Sequence, residues 1–116
     1  MVSIAFSERG SVALARRLGE FDELVAANLL EAELHSAFAR ERVDARTDLT
    51  EALSWVIPDR PLHDEIARVL AAGFVRGADC WHLATALYLA QKPSEMTFLT
   101  LDDRQGAVAR ALGFRA

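Results

Sequence analysis

The sequence predicts an α/β domain in which a parallel sheet is flanked by helices. Three observations carry this. Short apolar runs, ELVAA at 23–27, SWVI at 54–57 and MTFLTL at 96–101, suit strands. The longer segments between them repeat apolar residues at helical spacing. Gly and Pro fall at the boundaries. Strands that alternate with helices are joined by crossovers, which makes the sheet parallel.

Taken in order, Ser7 to Leu18 reads as a helix capped by Ser7, with Val12, Leu14, Ala15 and Leu18 on its apolar side and Gly19 ending it. Glu23 to Ala27 is a short strand. Leu29 to Arg42 is a helix whose stripe is Leu30, Leu34, Ala37 and Phe38. Asp44 to Asp48 is a polar link, Leu49 to Leu53 is helical, and Ser54 to Ile57 is a strand. Pro58 and Pro61 follow, and Pro61 suits the first turn of a helix running to Ala72. Ala78 to Ala90 is the most apolar helix, stopped by Pro93. Met96 to Leu101 is a strand, and Asp103 to Leu112 is a helix closed by Gly113. Phe114 to Ala116 adds an edge strand.

Composition bounds the function. At 116 residues the chain is one domain, 1–116, and 52% hydrophobic content supplies a core. A formal charge of -4 argues against a general nucleic-acid coat, which carries a basic footprint, but leaves room for an acidic, metal-dependent nuclease. Cys80 is the only cysteine, so there is no intrachain disulfide and no cysteine-based zinc cluster. No apolar run has the length of a membrane span, and MVSIAFSERG lacks the regions of a signal peptide. The expected location is cytoplasmic, away from the membrane.

Three places set acids beside apolar structure. Glu31 and Glu33 border the stripe of NLLEAELHSAFARE, and periodicity does not choose between them; both also read as ordinary stripe-edge charges. Asp79 opens the apolar run of RGADCWHLATALYLA, where it serves either as a helix-start acid or as a corner of an acidic cluster. Asp102 and Asp103 follow FLTL at the carboxyl end of a strand, where open α/β sheets place their sites; one of them caps the next helix. Converging carboxylates repel one another unless a cation lies between them, and hard oxygen ligands suit Mg²⁺ or Mn²⁺. Asp79 and His82, three apart, share a helix face, but His82 reads more simply as a surface residue. His35 and His63 have no evident partner, and Trp55 and Trp81 read as core or interface.

The blocks ANLLEAELHSAFARE, GADCWHLATALYLA and FLTLDDRQGAVARALGF resemble, in that order, the acidic motifs of the PIN domain family, most closely those of VapC-type toxins. The resemblance runs from about Ser7 to the C-terminus. It implies a PIN-like fold and a divalent-metal endoribonuclease that cuts exposed RNA, often a transfer or ribosomal RNA. It further implies Mg²⁺ or Mn²⁺ as cofactor, homodimers, and a cognate antitoxin that places a basic or aromatic segment at the acidic site. By position, Glu33 matches the motif Glu, Asp79 the third-motif acid and Asp102 the closing acid, which leaves Asp103 as the helix cap and Thr100 as an orienting hydroxyl. Glu33, Asp79 and Asp102 are therefore the expected catalytic and metal-site carboxylates.

The family also opens on a central strand ending in Asp followed by Thr or Ser. Here the first acid is Glu8. The expectation is an N-terminally truncated relative whose central strand is missing or replaced, with Met1 to Phe6 able to slip into the gap without bringing an Asp. Three readings follow: a metal-dependent ribonuclease toxin, a catalytically inactive PIN-like domain that only binds its antitoxin or itself, and an unrelated α/β fold whose acids are caps and stripe edges.

Overall fold

The computed structural model describes residues 2–4, 24–40, 54–100 and 102–116. Strands β1 (Val2–Ile4), β2 (Leu24–Ala27), β3 (Ser54–Val56) and β4 (Thr97–Leu99) form one sheet in the order β3-β2-β1-β4. Every pairing is parallel. The described helices are α1 (Leu29–Arg40), α2 (His63–Ala72), α3 (Gly77–Leu89) and α4 (Asp103–Ala111). The helix expected over Ser7 to Leu18, the link at Asp44 to Asp48 and the helix at Leu49 to Leu53 lie outside the described residues.

The central position is filled by β1. Ser3 pairs with Val25 on one side and Phe98 on the other. Without it, β2 and β4 would face each other across a gap with unpaired backbone groups, a costly arrangement in a core. The sheet continues past β4 through a single parallel bridge from Thr97 to Arg115, closed by the Phe98 amide donating to the Arg115 carbonyl at 2.7 Å. The edge strand expected at Phe114 to Ala116 is thus one bridge long.

Helix α3 is the centre of the core. Leu83, Ala84, Ala86 and Leu87 are buried, and they pack with Leu62 and Val69 of the α2 region, Met96 and Phe98 at β4, and Val108 and Ala109 of α4. The rings of Phe98 and Phe114 lie 6.1 Å apart at 43°, a favourable tilted arrangement. Where α2 ends, a Cβ on Gly73 would stand 2.9 Å from Val108 Cγ2, so only glycine lets α2 approach α4 this closely. Gly113 closes α4 with φ of 102°, a left-handed conformation that disfavours any side chain.

Two boundaries differ from the sequence expectation. Helix α2 begins at His63, so Pro61 precedes it instead of sitting in its first turn. Its cap residue Leu62 is 2% exposed and has φ −105° and ψ 41°, so burial of that side chain sets the entry. Strand β4 stops at Leu99, because Thr100 turns its hydroxyl to the following helix start.

Candidate functional site

The crossovers leave β1 and β4 in opposite directions across the sheet, and ligands in such sheets bind at the carboxyl ends beside that switch. Asp79 and Asp102 both lie there. They line one cleft of about 440 Å³ together with Phe74, Val75, Arg76 and Arg104.

Asp79 is the third residue of α3. Arg76 is the cap, in extended conformation, and its carbonyl accepts from the Cys80 amide at 2.7 Å. A carboxylate in this first turn faces free backbone N–H groups and the positive end of the helix dipole. Its environment opposes that. Partial burial, and then the charge of Asp102, hold the Asp79 carboxyl above the usual carboxylate range; His82 pulls it down, Glu33 pushes it up and Arg76 pulls it down. Asp79 is therefore within electrostatic reach of both other expected acids.

Asp102 is the N-cap of α4. Its carboxylate accepts from the Gln105 amide at 2.9 Å, and its own amide donates to Thr100 Oγ1 at 3.1 Å. This corrects the assignment of Asp103 as the cap: Asp103 has already entered the helix and is exposed. The φ of −82° and ψ of 116° at Asp102 place its carboxylate over the first turn. One carboxylate oxygen serves the cap, and the other is not taken up by that bond.

Glu33 lies on α1, half-buried, whereas Glu31 is exposed. Its carboxylate accepts from His82 Nε2. The His82 side chain is 1% exposed, so the expectation of a surface histidine is wrong. Helix α3 is buried almost all round, and a polar residue there needs a partner. His82 Nδ1 and Thr85 Oγ1 are buried and meet no hydrogen-bond partner among the described residues. Asp79 and Asp102 are thus brought to one cleft, while Glu33 sits beside them with its carboxylate turned to His82.

Among the described residues no group of three or more His, Cys, Asp or Glu is gathered as a metal-holding set. The donor chemistry of the cleft nonetheless fits a hard divalent cation. Mg²⁺ is commonly held by one or two carboxylates with water and substrate oxygens completing its shell, and a cation between Asp79 and Asp102 relieves their repulsion. Asp79 and Asp102 are the residues that can hold it.

Sequence reasoning missed Arg76, Arg104, Phe74 and Gln105. The spacing of Asp102 and Gln105, a D-x-x-Q after a strand, was the available signal for a cap with a polar partner. Among the described residues no helix is long and apolar enough to cross a membrane. Compared with protein families, with characterised proteins and with solved structures, the chain shows no match.

Proposed function

We propose that the chain is a PIN-like, VapC-type toxin: a divalent-metal-dependent endoribonuclease that hydrolyses RNA phosphodiester bonds and is held in check by a cognate antitoxin. The observation that carries this reading is the cleft shared by Asp79 and Asp102, whose carboxylates come from separate elements, with the charge of Asp102 helping to hold the Asp79 carboxyl up. The two carboxylates on their own would repel a phosphodiester brought between them. When bound, Mg²⁺ or Mn²⁺ supplies Lewis acidity toward a phosphodiester and a water of lowered pKa.

The chain's own residues supply the rest. Arg76 and Arg104 line the same cleft and present guanidinium groups suited to phosphate oxygens. Phe74, 68% exposed at the cleft wall, offers a face on which an unpaired base stacks. Leu70 is exposed beside Ile66, Phe74 and Trp81, an apolar surface of the kind a protein partner covers. In this reading the partners are the antitoxin, RNA and a second copy of the chain, in the cytoplasm.

The test is Mg²⁺-dependent RNA cleavage by the purified chain and by Asp79→Asn. Loss of cleavage and of growth arrest in a folded variant is expected. Undiminished cleavage by folded Asp79→Asn refutes the assignment. One observation favours a second reading, a PIN-like domain that binds partners without cutting: the central strand β1 is Val-Ser-Ile and brings no carboxylate to the site. In that case wild type and variant alike leave RNA intact at any Mg²⁺ concentration.

A further inference from the structure

Gln105 is nearly fully buried, at 1% exposure, in the first turn of α4. A buried amide costs free energy unless its groups are paired. Each hydrogen bond that pairs it runs to a different part of the candidate site. Its Oε1 accepts from Thr100 Oγ1 at 2.7 Å. Its Nε2 donates to the backbone carbonyl of Asp79 at 3.4 Å. Its backbone amide donates to the Asp102 carboxylate at 2.9 Å. Thr100 Oγ1 in turn accepts from the Asp102 amide at 3.1 Å.

We infer that Gln105 is the positioning residue that sets the separation of Asp79 and Asp102. The two acids stand on different elements, the start of α3 and the start of α4, and one side chain ties the first to the second. The amide orientation is fixed at Asp79: a backbone carbonyl can only accept, so Nε2 faces it, and Oε1 is left to accept from the Thr100 hydroxyl, which itself accepts from the Asp102 amide. A carboxylate at 105 could not donate to the Asp79 carbonyl, and an apolar isostere could neither donate there nor accept from Thr100.

The inference rests on the proposed cation site for its functional meaning, but its geometry can be tested without a metal. Three proteins are compared: wild type, Gln105→Leu and Val69→Ala. Val69, in the core on α2, provides a destabilised variant whose lesion lies outside the network. The first readout is the set of backbone amide NMR signals without metal. In Gln105→Leu the signals of 78–82 and 100–105 are expected to move together; in Val69→Ala, whose side chain packs in the same core cluster as Cys80, those of 100–105 are expected to stay in place. The second readout is Mn²⁺ affinity by electron paramagnetic resonance. Residues that orient ligands without touching the metal typically alter affinity about ten- to a hundred-fold, and a loss in that range is expected for Gln105→Leu but not for Val69→Ala.

If the signals of 78–82 remain fixed in folded Gln105→Leu, the positioning role is wrong, whatever the metal result. If Gln105→Leu fails to fold, Thr100→Val replaces it, and the same shift at 78–82 is required. If the signals move as expected but wild type takes up no Mn²⁺, Gln105 still ties the two helix starts together, and it is the cation site that fails.

Discussion

Asp102 is given two roles, helix cap and cation ligand, and two substitutions separate them. Asp102→Ala removes the carboxylate that accepts from the Gln105 amide. Loss of an acidic or hydroxyl cap typically costs about 1 kcal/mol, within about 0.5–2. Gln105 is buried, so its amide is left without water as well as without a partner, which places the cost in the upper half, about 1–2 kcal/mol. For a domain of this size each kcal/mol shifts Tm by about 3–5 °C. Asp102→Asn keeps an oxygen in the same place, and asparagine caps about as well as aspartate. It also removes the charge that pushes the Asp79 carboxyl up. A net change within about 0.5 kcal/mol is therefore expected for Asn at neutral pH. Thermal denaturation measured with and without Mn²⁺ reads both roles at once. Wild type gains about 2.7 kcal/mol at a free metal concentration of a hundred times Kd, and both variants lose most of that gain. Equal destabilisation by Asn and Ala refutes the cap. Full stabilisation of Asp102→Asn by Mn²⁺ refutes the ligand.

Two further outcomes follow from groups away from the cleft. Arg60 donates to both carboxylate oxygens of Glu65, at 3.1 and 2.5 Å, and its guanidinium stacks 5.2 Å above the Tyr88 ring centroid. The hydrogen bonds from Arg60 lead in holding the Glu65 carboxyl down to about 2 from an ordinary 4.5. Its contribution to stability is therefore complete above pH 4.5 and is lost as pH falls toward 2; acid titration of Tm for wild type and Glu65→Gln should diverge above that window and converge below it. Gly73→Ala drives a methyl group to within 2.9 Å of Val108 Cγ2 and should cost about 1–3 kcal/mol in urea denaturation, with most of the loss recovered in the Gly73→Ala/Val108→Ala double variant.

Much of this fold was legible because its signals are local. The strand at Leu24–Ala27, the burial of α3 and the closure of α4 at Gly113 follow from apolar runs and punctuation. The start of α2 was not, because a proline pattern favours Pro61 while the buried side chain of Leu62 decides the entry. Periodicity placed Glu31 and Glu33 equally, since only the neighbouring helix distinguishes them: His82 reaches Glu33. The burial of His82 could have been anticipated from the apolar surroundings of α3 on every side. The capping role of Asp102 could not be separated from that of Asp103 by spacing, because it depends on where the strand ends and the helix turns. The cleft arginines belong to α3 and α4 starts that are distant in sequence and adjacent only after folding.

The central claim is that Asp79 and Asp102 hold a divalent cation at the carboxyl end of the sheet. The most direct measurement is a substoichiometric Mn²⁺ titration of the isotope-labelled chain followed by paramagnetic broadening of backbone amides. The account predicts that the signals of 77–80 and 102–105 vanish first, and that Asp79→Asn abolishes this pattern. Broadening centred elsewhere, or none at millimolar Mn²⁺, contradicts it.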